Sequence, residues 1–247
     1  MKKAIMMLAI LCSAVAFAQR PAQKAEEANV PVNEVFDSWT APDVSLSQYF
    51  ATSTAEPASP DAKGFIRRWT LLEPIAKPEI RSNSIFTDSW LREEIGKQLF
   101  ADQMTILPAK DGQKLKLDKK TTLKWHFLDS RKYNVKLYRF ATGLGLRPTE
   151  GLFWAVTVIN CPEDMTVRLA VGSNSASMWW LDGEEVILLS GDRRMVVDDC
   201  VSRQITLKKG RNILRGAVIN GPGMSDFCVR FIGADGKPVT NFTVSNQ

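Results

Sequence analysis

The chain has 247 residues, of which 45% are hydrophobic, so it is long enough to bury a core without cross-links. Its 32 basic and 27 acidic residues give a net charge of +5, and no run of five like charges occurs, which argues against a nucleic-acid partner. One histidine excludes a multi-histidine metal site within a single chain.

Residues 1–18 have the pattern of a secretory signal peptide. Lys2 and Lys3 precede an apolar run, and Ala16-Phe17-Ala18 is a small-x-small cleavage site. The run is too short to span a bilayer, so we expect no membrane span. Cleavage near Ala18 predicts an exported protein, in the periplasm or outside the cell. It removes two of the 32 basic residues and none of the 27 acidic ones, which lowers the net charge from +5 to +3.

The next segment is residues 19–63. Residues 19–33 have little to bury and predict a flexible leader. Residues 35–50 predict a short helical or extended arm that packs its aromatic rings onto the domain, and residues 52–63 predict a linker rich in Ala, Ser, Thr and Pro. We expect the β-sandwich domain to occupy residues 64–247, with its first strand at residues 64–73.

One short amphipathic helix is predicted before a long series of strands. Leu91, Ile95 and Leu99 recur every four positions within residues 88–100. From residue 104 onward, apolar runs separated by turn signals indicate antiparallel β structure. The predicted strands include residues 122–128, 135–140, 152–160, 166–172, 226–232 and 238–244.

Two tight hairpins in succession carry the strongest fold signal. The first joins a strand ending at residue 181 to residues 185–189 through Asp182-Gly183, a pair suited to a two-residue turn. The second joins residues 204–207 to residues 213–220 through a glycine-containing turn. These hairpins and the spacing of the other strands predict an all-β chain. We expect a two-sheet antiparallel β-sandwich with short N-terminal helical segments.

Six short motifs together carry a family resemblance: WTLLEPI at residues 69–75, LKW at 123–125, FWAVTV at 153–158, LAVGSN at 169–174, WWLDGEEV at 179–186 and LKKGRNIL at 207–214. With these motifs the chain resembles secreted bacterial jelly-roll (galactose-binding-like) domains, which accompany glycoside hydrolases and esterases. The resemblance covers roughly residues 64–244 and implies a jelly-roll sandwich. Glu73 stands where the family usually has Gly, and Asp182 where it usually has Asn, so any family role of that Asn is in doubt.

Cysteine usage does not indicate a disulfide framework. Cys12 leaves with the signal peptide, so Cys161, Cys200 and Cys228 remain. Three thiols allow at most one internal disulfide, and the sequence does not specify its pairing. Cys228 lies in a strand pattern, where a small buried apolar residue is its expected role.

Catalytic and metal-binding signals are weak. The acidic pairs Glu163-Asp164, Glu184-Glu185 and Asp198-Asp199 lie in predicted turns or strand ends, where solvated charge is ordinary. His126 reads as a strand histidine that faces solvent or is satisfied in the core. No cofactor is expected. Asp198 and Asp199 are weak calcium candidates, because two adjacent carboxylates do not make a shell of about six oxygen ligands.

A sugar-binding platform is the most specific site hypothesis. Trp179 and Trp180 are adjacent in one strand, so one faces inward and the other outward. An outward ring beside Asn174, Asp182 and Arg194 would let a sugar stack on it and hydrogen-bond at its edge. In the competing interpretation both rings are covered, one by the core and one by a loop or the N-terminal arm.

Three functions follow from these patterns. The first is an exported, non-catalytic carbohydrate-binding or accessory module of a polysaccharide-degrading system. The second is a structural sandwich of the envelope that docks a protein partner, which burial of both tryptophans would favour. The third is an esterase or glycosidase with an unrecognised site, which would require two converging carboxylates.

Overall fold

The computed structural model describes residues 45–247; the predicted signal peptide, the predicted leader and most of the predicted arm lie outside them. Within these residues the chain forms fifteen strands, two short α-helices and two 3-10 helices, at Leu46–Gln48 and Asn83–Ile85. The helices are α1 (Asp88–Gly96) and α2 (Leu137–Gly143). The strands are β1 (Phe50–Thr52), β2 (Arg68–Leu72), β3 (Ile75–Ala76), β4 (Lys114–Lys116), β5 (Thr122–Ser130), β6 (Val135–Lys136), β7 (Gly151–Cys161), β8 (Met165–Ser173), β9 (Ala176–Leu181), β10 (Glu184–Leu189), β11 (Cys200–Val201), β12 (Ile205–Leu207), β13 (Gly210–Asn220), β14 (Asp226–Ile232) and β15 (Thr243–Ser245).

The strands form two antiparallel sheets. The large sheet has ten strands in the order β1-β5-β2-β7-β13-β9-β10, with β3 and β15 also paired to β7 and β4 to β5. The small sheet has five strands in the order β11-β8-β14-β6, with β12 also paired to β8. The predicted all-β, two-sheet antiparallel sandwich is therefore confirmed. Strand β1 pairs with β5, so the large sheet begins before the predicted domain start at residue 64.

Strand β7 is the centre of the large sheet. It pairs with β13 over its whole length, from Gly151 opposite Asn220 to Cys161 opposite Gly210. Its residues are buried except Asn160, which is half-buried. The nearly continuous apolar run of this segment predicts a strand covered on both faces, and the structure confirms it.

Two hydrophobic cores cover the two faces of the large sheet. The inner core lies between the sheets and includes Trp69, Phe153 and Phe231. The outer core lies on the opposite face, where residues 77–117, here called the outer layer, pack against the sheet. Helix α1 buries Leu91 and Ile95 in this core, as its periodicity predicts. The sandwich thus carries a third layer on the large sheet.

The predicted second hairpin is wrong. Strand β12 pairs with β8 in the small sheet, whereas β13 pairs with β7 and β9 in the large sheet. The turn between them is a crossover that joins the two layers. Asn212, which is fully buried, stabilises it: its Oδ1 accepts from the Lys208 N–H at 2.8 Å and its Nδ2 donates to the Lys208 carbonyl at 2.8 Å.

The segment at residues 135–140 also differs from its prediction as one strand. Only β6 is extended, and the chain then turns into α2. Leu137, Phe140 and Ala141 are buried in the inner core at spacings of three and four residues. This spacing places them on one face of a helix, so packing against the core favours the helix over the strand.

Candidate functional site

Trp179 lies in the inner core and is fully buried. Its ring meets Trp69 and Phe227 edge-on at centroid distances of 5.9 and 5.1 Å, and its Nε1 donates to Ser177 Oγ at 3.0 Å. The polar atom of this indole is therefore satisfied inside the protein, and no part of the ring is available to a ligand.

Trp180 points to the opposite face, as strand geometry requires, but only 7% of it is exposed. Its ring stacks on Trp154 at 5.8 Å with an interplanar angle of 20°, within the outer core. The interpretation in which one ring is outward and open is corrected here: the outer layer covers it. Both tryptophans are structural.

The polar residues expected around that platform do not converge. Asn174 precedes β9 and Asp182 follows it. The six extended residues of β9 span about 20 Å, so these two residues lie at opposite ends of the strand. Asp182 makes a structural contact, because its Oδ1 accepts from the Ile213 N–H at 2.7 Å. Arg194 is exposed and lies near the Asn174 end, since the Ser175 N–H donates to the carbonyl next to it, that of Arg193, at 2.9 Å.

The two calcium candidates are held by arginines. Asp198 accepts two hydrogen bonds from Arg230, one of them from Nε at 2.9 Å. Asp199 Oδ2 lies 2.8 Å from Arg193 Nε and 2.6 Å from its Nη2. Within residues 45–247 there is no group of three or more His, Cys, Asp or Glu residues placed to hold a metal ion. A calcium ion would have to compete with guanidinium groups for these oxygens.

The acid and histidine candidates also have structural partners. His126 Nε2 lies 3.1 Å from Glu73 Oε1, and Glu73 Oε2 accepts from the Lys124 N–H at 3.0 Å. Glu185 forms an ion pair of 2.8 Å with Arg92. Glu73, at the position where the resembling family has Gly, thus connects β2 to β5 through its side chain.

The three cysteines are free thiols. Cys228 is buried beside β8, as its strand pattern predicts, and Cys161 is buried in the inner core. Burial raises the pKa of the Cys161 thiol to about 11 and that of Cys228 to about 12. Cys200 is half-buried, and burial also raises its pKa. A raised pKa leaves a thiol with little thiolate near neutral pH, which makes it a weaker nucleophile.

Arg215 is a buried cation with no carboxylate partner among residues 45–247. It is 2% exposed; its Nη2 donates to the Ile106 carbonyl at 2.9 Å, whereas Nη1 has no hydrogen-bond partner. Desolvation lowers the pKa of this guanidinium to about 10. Because Ile106 belongs to the outer layer, Arg215 connects that layer to the large sheet.

A cleft of about 290 Å3 lies at the edge of the large sheet, where β1, β5 and β2 run side by side. Ala51, Asp129 and Arg68 are direct neighbours across these strands, so they share one face. The cleft is lined by Ala51, Ala58, Ser59, Arg67, Arg68, Asp129, Ser130 and Arg131.

The floor of the cleft is a closed ion pair. Arg68 Nε and Nη2 each lie 2.7 Å from one oxygen of Asp129, and the arginine is only 3% exposed. Arg68 also donates to the Glu56 carbonyl and, at 3.2 Å, to Thr54 Oγ1. Such a bidentate pair is geometrically specific and keeps the floor rigid.

The walls of the cleft carry the other two arginines. Arg67 and Arg131 are both exposed, and neither side chain forms an ion pair with any residue in the range 45–247. Arg131 Nε donates to the Ser47 carbonyl at 2.8 Å, which leaves its terminal nitrogens free to bind. Three guanidinium groups against one carboxylate give the lining a net charge of +2.

Sequence reasoning missed this cleft. Its residues come from two separate stretches of the chain, residues 51–68 and 129–131, and each one alone looks like an ordinary surface residue. The adjacent Arg67 and Arg68 before an apolar strand were the only local signal, and such pairs are common on surfaces.

Comparisons with known proteins identify no family. No family model matches the chain. No curated protein matches it either. At TM-scores below 0.5, likenesses to solved structures establish neither a family nor a function for the chain. The chain is similar to the PA14 sugar-binding domain from an RTX adhesin, with a TM-score of 0.41 and 10% identity over 72% of this chain and 96% of that one. It is also similar to the PA14 domain of the MpAFP antifreeze protein, with a TM-score of 0.40 and 10% identity over 79% of this chain and 95% of that one. A third similar structure is the β-glucosidase from Kluyveromyces marxianus in complex with glucose, with a TM-score of 0.31 and 19% identity over 44% of this chain and 14% of that one.

Proposed function

We propose that this protein is an exported, non-catalytic carbohydrate-binding accessory module of a polysaccharide-degrading system, and that the arginine-lined cleft holds the ligand. The observation that carries the proposal is the cleft itself, a concave site with unengaged hydrogen-bond donors on a rigid sheet edge. Ligand sites are typically concave and carry a few placed polar groups.

The chemistry of the lining suits a sugar. Ser59 offers a hydroxyl, and Arg67 and Arg131 offer N–H donors to sugar oxygens. Ala51 and Ala58 are small, so they leave room for a ring beside the ion pair. A volume of about 290 Å3 is at the lower end for ligand sites, about 300 to 1,000 Å3, which suits a small group better than a long polymer segment.

Binding without hydrolysis fits the same lining. A glycosidase needs two carboxyl groups that flank the scissile bond. Asp129 is the one carboxylate among the lining residues, and both its oxygens are engaged by Arg68. The cleft can therefore hold a sugar, but it lacks the pair of groups that would cleave it.

Affinity electrophoresis through gels containing plant, bacterial or host polysaccharides tests the proposal. The mature protein is compared with Ala51→Trp, which fills the cleft without changing charge, and with Ala234→Trp, which adds the same ring at an exposed turn. We expect retardation of the wild type and of Ala234→Trp and its loss in Ala51→Trp. Equal retardation of all three, or retardation of none, would overturn the proposal.

A second candidate, an envelope protein that docks a partner, has one observation in its favour. Val196 and Val197, on the segment that leads into β11, are 51% and 38% exposed, and Val201 in β11 is 39% exposed. The burial of Trp179 and Trp180 also favours this candidate over a stacking platform. A pull-down from an envelope extract distinguishes this candidate from carbohydrate binding. It compares the immobilised wild type with an immobilised variant in which these three valines are replaced by serine. A partner that the wild type retains and the variant does not supports docking.

A further inference from the structure

We infer that the cleft recognises an acidic saccharide, and that Arg67 and Arg131 bind its carboxylate or sulfate group. The inference rests on the proposed function, since it specifies the ligand class of the same site. It follows from the distribution of charge within the cleft, from the free donors of its two walls and from how the fold places those walls together.

The floor and the walls differ in charge. Arg68 and Asp129 neutralise each other through two hydrogen bonds of 2.7 Å. Arg67 and Arg131 have no carboxylate partner within residues 45–247, so the net charge of +2 belongs to the walls. A concave site with one sign of charge concentrates ligands of the opposite sign.

The fold holds the two wall arginines near each other. Arg67 directly precedes β2 and Arg131 directly follows β5, and these strands are paired. The Ser130 N–H donates to the Arg67 carbonyl at 2.8 Å, so the backbone of Arg67 contacts the residue next to Arg131. Both residues line the same cleft, so an anion that enters it is attracted by two positive charges.

The free donors match an oxyanion. A guanidinium group carries five N–H donors in a planar fork that fits carboxylate or sulfate oxygens in pairs. Arg131 uses only its Nε, for the Ser47 carbonyl, and Arg67 uses none of its donors within residues 45–247. Arg68 cannot serve the ligand in this way, because Asp129, Glu56 and Thr54 already engage it. Uronic acids and sulfated sugars combine such an anion with the hydroxyl groups that the serine side chain can bind.

Isothermal titration calorimetry at two salt concentrations tests the inference. The ligands are polygalacturonate, a sulfated glycan (chondroitin sulfate), a neutral glycan (xyloglucan), and inorganic sulfate and phosphate. The test variant is Arg67→Gln/Arg131→Gln. The matched control is Lys119→Gln/Lys120→Gln, which removes the same charge from exposed residues elsewhere. Melting curves establish that both variants fold.

We expect at least one acidic glycan to bind about tenfold more tightly than xyloglucan. Arg67→Gln/Arg131→Gln should weaken that binding about tenfold, and the lysine control less than about twofold. Equal weakening by both variants would overturn the inference in favour of non-specific attraction. Binding of xyloglucan alone would overturn it while leaving the proposed function intact. Binding of inorganic anions but of no glycan, or of nothing at all, would overturn both.

Discussion

The ring of Trp179 lies against Gly216, its direct partner on the neighbouring strand β13. A Cβ atom at Gly216 would lie 2.4 Å from Trp179 Cζ3 and 2.6 Å from Cη2. The ring cannot move aside, because Trp69 and Phe227 pack against it and Ser177 holds its nitrogen. The indole of Trp179 therefore fits in the inner core only because residue 216 is glycine.

Gly216→Ala should lower the free energy of unfolding by about 2 to 3 kcal/mol, because the added methyl group overpacks a closed core. Urea denaturation monitored by tryptophan fluorescence measures the change. Gly96→Ala is the control: the same methyl group meets nothing within 4 Å at the end of α1. A neutral Gly216→Ala would mean that Trp179 has room to shift.

Trp180→Ala should lower the free energy of unfolding by about 3 to 5 kcal/mol. The reason is its burial against Trp154 beneath the outer layer, where truncation leaves a cavity. Thermal denaturation provides the measurement, with Val196→Ala as an exposed control. If instead the melting curve stays unchanged while glycan binding is lost, Trp180 is an accessible binding residue.

Asn212→Ala should destabilise the protein by about 2 to 3 kcal/mol, since it leaves the Lys208 N–H and carbonyl without their side-chain partners. Hydrogen exchange is the sharper measurement, because the amide of Lys208 should lose its protection first. Lys209→Ala, at an exposed residue of the same turn, is expected to change little. Unaltered protection of Lys208 in Asn212→Ala would show that the crossover does not depend on this side chain.

Stability should fall at alkaline pH, in part through Cys228. Its pKa of about 12 in the folded protein lies above the ordinary 9.0, so above pH 9 the unfolded thiol ionises while the folded one keeps its proton. The stabilisation is complete below pH 9 and is lost as pH rises toward 12.

Urea midpoints at pH 8 and pH 10.5, under reducing conditions, measure this effect. The loss of stability between them should be smaller in Cys228→Ala than in the wild type by about 1 to 2 kcal/mol. Cys200→Ser serves as the comparison, because that thiol is half-buried. Identical losses in the wild type and Cys228→Ala would contradict the assigned cause.

The parts of the fold that local patterns encode were predictable. The apolar run of β7, the alternation in β8 and the Asp182-Gly183 turn each depend on neighbouring residues in the chain. Asp182 and Gly183 adopt positive φ angles of 49° and 86°, as a two-residue hairpin turn requires. The pairing of β9 with β10 follows directly from that turn.

The parts that depend on distant partners were not predictable in the same way. The turn before Asn212 has the same local chemistry whether it joins two paired strands or two sheets, and only the pairing of β12 with β8 decides between them. The exposure of Trp180 depends on the outer layer, whose docking position is not encoded in the strand. The cleft exists only once β1, β5 and β2 are aligned, because Asp129 is far along the chain from Ala51 and Arg68.

The outer layer sets a lower limit on how short this protein can be made. Deleting residues 77–117 would strip one side of the large sheet and present Trp125, Trp154 and Trp180 to water as a continuous aromatic wall. Such a truncation should yield insoluble aggregates rather than a minimal domain. Trimming for crystallisation or fusion should therefore spare these residues, even though they contribute only one short strand, one short α-helix and one 3-10 helix.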